Sequence, residues 1–302
     1  MTRRDALLLA CARLAAQDPP AFAAAMRDIE TSVDGLLGAA GLELKSGRLA
    51  GWRSKDRFPL LEMVQLPVAL HVFAMMELGE LPFRKMVRIE PGSYSTGHSP
   101  LRDRYPKGAV ATVGQLLEAA VRDNDASASD VLLDLGGGPE AVQKRMARWF
   151  GDGLRVDRPL AGLDAAFRLS ASRERFLMDE RDTCTPEALV MLMSAVEGGQ
   201  LLHAASHERL RGWLRETPHG AERIRPRLGD ALLYHKSGST SFWDGRNICM
   251  SVAGVAELPG GRGKLALAVF LKGTERDLTQ RESALASAAG ALYRWFAEMP
   301  EK

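Results

Sequence analysis

The sequence predicts an α/β (α+β) fold in which an antiparallel sheet, flanked by the N- and C-terminal helices, is accompanied by an all-helical domain. A helical pattern over 24–37 precedes a loose alternation from Gly41 to Trp52 around the turn Ser46-Gly47, which indicates a hairpin. The middle of the chain is helical in pattern, and strand patterns return only in the last third. We therefore expect 24–60 and 209–302 to form the α/β domain and 61–208 the helical domain, with a functional cleft between them.

The elements of the middle and last thirds follow from local signals. Capping and turn residues predict helices at Val113–Arg122 and Ala126–Leu135, and helix starts at Pro139-Glu140 and Thr185-Pro186-Glu187. Apolar runs separated by a Pro-Gly-Gly turn then predict the last strands and the final helix. These elements are Ala231–His235, Ile248–Ala256, Leu265–Leu271 and the helix Gln280–Ala297.

Composition and charge exclude several classes of partner. The 302 residues are 46% hydrophobic and 26% charged, which is typical of a globular protein. Forty basic and 38 acidic residues leave a net charge of +2 without a like-charge block, so we expect no nucleic-acid partner and no membrane span. The three cysteines, Cys11, Cys184 and Cys249, have neither disulfide nor zinc spacing. We expect buried cysteines, no metal, no cofactor and a monomer.

The N-terminus resembles an export signal. Arg3-Arg4 resembles a twin-arginine motif, and Ala21-Phe22-Ala23 resembles a signal-peptidase site. Arg13 and Asp18 interrupt the apolar stretch that such a signal needs. We expect a periplasmic or exported protein with a signal segment at 1–23; the alternative is a cytoplasmic protein with an amphipathic N-terminal helix.

Three segments carry candidate functional residues. The first is Phe58–Leu70, which contains Glu62 and Gln65; the second is Arg122-Asp123-Asn124, at the end of a predicted helix. The third is Lys236-Ser237-Gly238-Ser239, at the end of a predicted strand. There a cation, hydroxyl groups and an open backbone can hold a carboxylate-bearing ligand. Each segment alone also fits an ordinary helix start, helix connection or surface hairpin.

The order of these segments resembles the class A β-lactamases, whose motifs are S-x-x-K, S-D-N and K-T-G. The resemblance extends over about residues 28–298 and implies the β-lactamase/transpeptidase-like fold. It includes several further segments. These are Arg57-Phe58-Pro59, Leu66–Leu70, Ser99–Asp103, Gly136-Gly137, Asp179–Thr183 with Thr185-Pro186, and Leu265–Phe270.

The resemblance places unusual residues at the positions that perform catalysis in this family. Glu62 stands at the position of the nucleophilic serine, Gln65 at that of the lysine, and Arg122 at that of the serine in S-D-N. No serine, threonine or cysteine in the chain is followed three residues later by lysine. Asn124 and Lys236 match substrate-positioning residues. Ser237 replaces a threonine there, and Gly238 and Ser239 complete the strand segment.

The family also uses a glutamate on its omega loop as the base that activates water. Counting back without gaps from Asp179–Asp182 places Leu169 at that position. Asp164 and Glu174 are the nearest carboxylates. Either one also fits a solvated loop residue, so the sequence leaves the base unassigned.

These substitutions predict an ion-pair network in which Glu62 faces Arg122 and Lys236, because opposite charges stabilise a half-buried carboxylate. We expect a β-lactamase-like protein that has lost serine acylation and binds a small carboxylate-bearing ligand or a partner as a pseudoenzyme. The alternative is a hydrolase of altered mechanism that acts on β-lactams or other amides and uses Glu62 as a general base.

Overall fold

The computed structural model describes residues 20–170, 172–240, 242–243 and 246–299. Most of the predicted signal segment 1–23, including Cys11, therefore lies outside the described residues. Within them, the predicted mixture of helices and an antiparallel sheet is confirmed. None of the helices in the described ranges is long and apolar enough to cross a membrane.

The secondary structure follows the predicted order along the chain. The strands are β1 Leu36–Glu43, β2 Leu49–Trp52, β3 Phe58–Pro59, β4 Met86–Ile89, β5 Ala109–Thr112, β6 Thr183–Cys184, β7 Leu232–Ser239, β8 Phe242–Trp243, β9 Arg246–Glu257 and β10 Lys264–Thr274. The α-helices are α1 Pro20–Val33, α2 Gln65–Glu77, α3 Pro100–Arg104, α4 Val113–Arg122, α5 Ala126–Leu135, α6 Gly138–Phe150, α7 Leu160–Leu169, α8 Arg173–Leu177, α9 Pro186–Gly198, α10 Ala204–Glu216, α11 Arg225–Leu228 and α12 Leu278–Glu298. Short 3₁₀ turns include Leu61–Val64 and Ala221–Arg223.

The chain divides into two compact units. The first contains the described residues up to Phe58, Cys184–Gly198 and the residues from Gly220 onward; the second contains Pro59–Thr183 and Gly199–His219. We predicted 61–208 as one helical block. In the structure α9, which lies inside that block, belongs to the first unit because it packs on β1, β9 and β10. The predicted cleft between the domains stays a prediction.

The first unit is built around an antiparallel sheet with the order β2-β1-β10-β9-β7, and β8 pairs with β9. One face is covered by α1 and α12, and α9 packs against the other. Covering both faces explains why β10 is apolar at consecutive positions: every residue from Leu265 to Leu271 is buried. The apolar side chains on the α1 and α12 face form the core of this unit.

The second unit is helical and is organised around α2, whose residues from Gln65 to Ala74 are all buried. A helix that is apolar on all sides is expected at the centre of a bundle, and α2 contacts α4, α5 and α6. His71 fixes its position, because Nε2 lies 2.9 Å from the Gly136 carbonyl oxygen and Nδ1 accepts a hydrogen bond from Arg145. Burial lowers the pKa of His71, in agreement with a neutral ring that donates from Nε2 and accepts at Nδ1.

Candidate functional site

Glu62 lies in a strained turn directly before the central helix of the second unit. The preceding residue, Leu61, has φ of 50°, a left-handed conformation that costs a non-glycine residue about 1–3 kcal/mol. Glu62 is partly buried in the 3₁₀ turn that runs into α2, and Gln65 is completely buried at the first position of that helix. The positive end of the helix dipole at this point favours a carboxylate.

Arg122 ends α4 and is held by acidic neighbours on its own segment. Its Nε and Nη2 donate to the two carboxylate oxygens of Asp123 at 2.8 and 3.0 Å, and Nη1 pairs with Glu118 one turn earlier. The hydrogen bond with Asp123 is the main cause of the raised pKa of Arg122. We predicted that this guanidinium pairs with Glu62. On its own segment its carboxylate partners are Glu118 and Asp123, and the pairing with Glu62 stays a prediction.

Asn124 and Asp125 lie in the turn between α4 and α5. Asn124 is buried and has φ of 55°, and Asp125 is completely buried as the N-cap of α5. The Asp125 carboxylate accepts hydrogen bonds from the backbone N–H groups of Ala128 and Leu101 at 2.8 and 2.6 Å, and from the Ser99 hydroxyl at 3.0 Å. One buried acid thus ties the Asn124 turn to the start of α3.

The strand segment Lys236–Ser239 lies in β7 of the first unit. Lys236 is completely buried, and Lys236, Ser237 and Gly238 pair with consecutive residues of β9 in an antiparallel ladder. A Cβ atom on Gly220 would lie 2.3 Å from the Ser237 Cβ, so only glycine permits this close approach. Pairing with β9 on one side and contact with Gly220 on the other fix the position of Ser237.

Arg223 adds a second buried cation to the same part of the first unit. Its Nη1 donates to the carbonyl oxygens of Gly238 and Ser251 at 3.0 and 3.3 Å, and Nε lies 3.5 Å from Glu282. This arginine was not predicted from the sequence, because the run from Arg223 to Arg227 matches no motif. Arg223, beside the Glu282 carboxylate, thus links the end of β7 to β9 through two backbone carbonyl oxygens.

Residues 158–170 and 172–182 belong to a loop of the second unit whose two ends are joined by ion pairs. Arg158 donates from Nε to Asp182 at 2.5 Å and lies 3.3 Å from Asp179. Asp182 also accepts hydrogen bonds from the backbone N–H groups of Asp157 and Arg158 at 2.7 and 2.8 Å. A hydrogen bond with the Arg181 side chain is the main reason that the pKa of Asp179 falls to about 2.

The three residues considered at the position of the catalytic base have different surroundings in this loop. Leu169 ends α7 and is 85% exposed. Asp164 accepts a hydrogen bond from the Thr96 hydroxyl and forms an ion pair with Arg168 at 2.9 Å, whereas Glu174 lies exposed in the short helix α8. A carboxylate already held by a hydroxyl and a guanidinium anchors the loop, which gives Asp164 a structural role.

Asp130 is an acid of this region that was not predicted from the sequence. From α5 it accepts hydrogen bonds from the backbone N–H groups of Leu160 and Ala161, at 2.6 and 2.9 Å, and so caps the first turn of α7. Burial raises its pKa to about 6. One signal in the sequence was the start of α7, where Pro159 has no side chain that can cap the helix, so a cap from another segment was needed.

The family of the chain follows from comparison with known proteins. The β-lactamase enzyme family matches residues 21–296. This chain belongs to the β-lactamase enzyme family. The β-lactamase SME-1 of Serratia marcescens is 27% identical over 272 residues, which cover 89% of this chain and 87% of that protein. The β-lactamase AST-1 of Nocardia asteroides is 28% identical and covers 86% of this chain and 79% of its own length.

Solved structures of β-lactamases show the same fold. A β-lactamase from Xanthomonas campestris is 26% identical with a TM-score of 0.79, and the match covers 91% of this chain and 97% of the other. A mutant of the class A β-lactamase of the last common ancestor of Gram-negative bacteria is 24% identical with a TM-score of 0.80, over 92% and 99%. The fold of a class A β-lactamase is therefore established for this member of the family.

The structure also shows where the cysteines lie and how the possible metal ligands are distributed. Cys184 and Cys249 are completely buried, as expected, and burial raises the pKa of the Cys184 thiol well above its ordinary value. Among the residues that the structure describes, no three or more His, Cys, Asp and Glu side chains are grouped so that they could hold a metal ion.

Proposed function

We propose that this β-lactamase family member does not hydrolyse β-lactams through a serine acyl-enzyme, and that it binds a small carboxylate-bearing ligand as a pseudoenzyme. The observation that carries the proposal is the pair Glu62 and Gln65 at the start of the buried helix α2. Acylation needs a hydroxyl and a neighbouring group that accepts its proton. A carboxylate lacks the hydroxyl, and a glutamine amide does not accept a proton near neutral pH.

Arg122 supports the same conclusion from a second segment. A residue that shuttles a proton to the leaving nitrogen must gain and lose that proton, and arginine stays protonated in proteins. Its pairing with Glu118 and Asp123 stabilises the charged form further. Arg122 is therefore a charge-pairing residue that cannot serve as a proton shuttle.

The binding part of the proposal rests on Asn124 and on the segment from Lys236 to Ser239. Lys236 is buried in β7, Gly220 packs against Ser237, and Arg223 donates a hydrogen bond to the Gly238 carbonyl oxygen. An ammonium group and hydroxyl groups on a rigid strand are well suited to a carboxylate. Asn124 supplies an amide from a rigid turn.

The test combines turnover, covalent capture and binding in one set of samples. The purified protein is incubated with a chromogenic cephalosporin and with benzylpenicillin, and hydrolysis and intact mass are recorded. We expect no turnover and no adduct. Saturating benzylpenicillin at about 100 times its dissociation constant should stabilise the fold by about 2.7 kcal/mol. The corresponding rise in melting temperature is roughly 4 °C for a chain of this length.

Two matched controls separate the parts of the proposal. Benzylpenicillin methyl ester, which lacks the free carboxylate, should give little stabilisation, and Lys236→Met should abolish the shift seen with the acid. Equal shifts with acid and ester would refute carboxylate recognition. Turnover that disappears in Glu62→Gln would replace the proposal by the hydrolase of altered mechanism.

Restoring the family residues gives a further check. We expect the double variant Glu62→Ser with Gln65→Lys to remain a poor enzyme, because Arg122 still stands at the position of the proton shuttle. Measured turnover of the chromogenic cephalosporin within about tenfold of an ordinary enzyme rate of 10 per second would show that the remaining site is intact.

Export is also part of the proposal, because residues 1–23 contain the arginine pair and the cleavage-like sequence described above. Expression of the full chain in a Gram-negative host should yield periplasmic protein. Its N-terminal sequence should lack the arginine pair and begin before Phe22, which is buried in the core of the first unit. A cytoplasmic product that keeps the arginine pair would refute export.

A further inference from the structure

The loop of the second unit contains a cavity of about 450 Å³, lined by residues of α7, of α8 and of the segment that follows α8. The apolar part of its lining consists of Ala166, Leu169, Phe176 and Met178. Sites for small organic ligands typically have volumes of about 300–1,000 Å³ and are lined mainly by apolar side chains. The cavity is therefore large enough to hold a small ligand.

Two of the apolar side chains are unusually exposed. Leu169 is 85% exposed to solvent, and Met178 is 80% exposed. Because both line the same cavity, a single ligand can cover them and remove their apolar surface from water. The methionine side chain is flexible and adapts to the shape of such a ligand.

Contacts within the loop hold the walls of the cavity. Phe167 of α7 and Phe176 of α8 pack edge to face, with ring centroids 5.5 Å apart. Arg181 donates to both carboxylate oxygens of Asp179, at 2.9 and 2.7 Å, and Arg158 lies 3.3 Å from the same carboxylate. A cavity between segments that are already held costs less ordering entropy when a ligand binds.

The charged residues of the lining leave one positive charge for a ligand. They are Arg175, Asp179 and Arg181, and the Asp179 carboxylate is neutralised by its pairing with Arg181. Among the residues that the structure describes, no carboxylate pairs with Arg175. A guanidinium presents a planar pair of donors that fits the two oxygens of a carboxylate.

We infer that this cavity binds a small amphipathic carboxylate, whose apolar chain covers Leu169 and Met178 and whose carboxylate pairs with Arg175. The net charge of the lining favours an anion, and the apolar side chains favour one with a hydrocarbon chain. The cavity shares no residue with the segment around Lys236, which belongs to the other unit. The inference goes beyond the proposed function, and either can fail alone.

The test is a titration of the purified full chain with octanoate by isothermal calorimetry. We expect saturable binding of one molecule per chain. Octanol has the same chain without the charge and should bind about tenfold or more weakly, because it lacks the charge-assisted hydrogen bonds to Arg175. Absence of saturable octanoate binding, or equal affinities for octanoate and octanol, would overturn the inference.

Three variants identify the cavity as the place of binding. Arg175→Gln should weaken octanoate binding by about tenfold or more. Met178→Ser should weaken it by about fourfold or more, the equivalent of one buried methylene group. Arg84→Gln, at an exposed arginine of the same unit outside the cavity, should bind octanoate as the unaltered chain does. Retained affinity in a folded Arg175→Gln variant, checked by circular dichroism, would refute the assignment.

Further outcomes separate this inference from the proposed function and from a lipid surface. Loss of octanoate binding in Lys236→Met, with unchanged binding in Arg175→Gln, would assign the carboxylate to the other unit and overturn the inference. Sedimentation of the protein with phosphatidylglycerol vesicles, without binding of free octanoate, would identify a membrane surface as the partner and overturn it too. Octanoate binding that survives Lys236→Met, together with no stabilisation by benzylpenicillin, would refute the proposed ligand site and support this one.

Discussion

Replacement of Asp130 by asparagine should remove a stability gain that the protein shows when the pH falls. The Asp130 carboxylate caps α7 from α5, and burial raises its pKa from 3.8 to about 6. A raised pKa means that the folded state takes up the proton at a higher pH than the unfolded chain does. The folded state is therefore stabilised as the pH falls through 6, and this gain is lost as the pH rises again.

The magnitude follows from the two pKa values. The folded and unfolded pKa values differ by about two, and each pKa unit corresponds to about 1.4 kcal/mol. The full gain in the free energy of unfolding is therefore about 3 kcal/mol between pH 7.5 and pH 3. Between pH 7.5 and pH 4.5 about 2 kcal/mol of it should develop. Asparagine keeps the shape and one acceptor but does not titrate. The hydrogen bond from the start of α7 that asparagine cannot accept is missing at every pH, so it adds no pH dependence of its own.

Urea unfolding of the unaltered protein and of Asp130→Asn at pH 7.5, 6.5, 5.5 and 4.5 measures this difference, and subtraction removes the contributions of other acids. Asp134→Asn, an exposed position of the same helix, controls for the loss of one acid from α5. A change in the difference of less than about 0.5 kcal/mol between pH 7.5 and pH 4.5, against about 2 kcal/mol expected, would refute the assigned environment of Asp130.

Two further predictions concern the candidate site and the loop. Gly220→Ala should destabilise the protein by about 2–4 kcal/mol in urea unfolding, because its methyl group would overlap Ser237 in addition to the left-handed backbone penalty. Gly260→Ala, with a similar backbone and no neighbour within 4 Å, should cost only about 1–2 kcal/mol; equal costs would contradict the overlap. Asp182→Ala should cost about 3–5 kcal/mol and expose the loop to proteolysis, because it breaks a buried ion pair. Glu180→Ala removes an exposed ion pair with Arg155, 3.8 Å long, and should cost less than about 1 kcal/mol. Similar losses of stability in the two variants would refute the buried ion pair between Arg158 and Asp182.

The elements that were predictable from the sequence are those with local signals. The helices at Val113–Arg122 and Ala126–Leu135 are found with the predicted bounds, because a capping box at Thr112 and Gln115 and the N-cap Asp125 mark where they begin. The last three predicted strands are also found, each extended by a few residues. Ladder hydrogen bonds continue beyond the apolar run that marks a strand in sequence.

The features that were not predicted depend on contacts between distant segments. Asp130 caps a helix that begins thirty residues later, and no local pattern marks such a partnership. The pairing of Arg122 was missed for the opposite reason. Its partners Glu118 and Asp123 lie four residues before it and next to it, at spacings that were visible in the sequence. Local carboxylates cost less chain entropy to bring near than a distant one such as Glu62.

The strained turn before Glu62 is connected through one residue to the neck of the loop, where Arg158 pairs with Asp182. Asp182 holds the neck with its carboxylate, and its backbone oxygen accepts a hydrogen bond from the Leu60 N–H at 2.8 Å. This contact fixes the residue before Leu61, whose left-handed backbone needs support from its surroundings. The turn thus keeps its conformation through the neck and through burial of Leu60 and Leu61, whatever side chain stands at 62. A serine introduced at 62 would inherit this backbone geometry, and for that reason the proposed loss of acylation lies in the chemistry of the side chains and not in the fold.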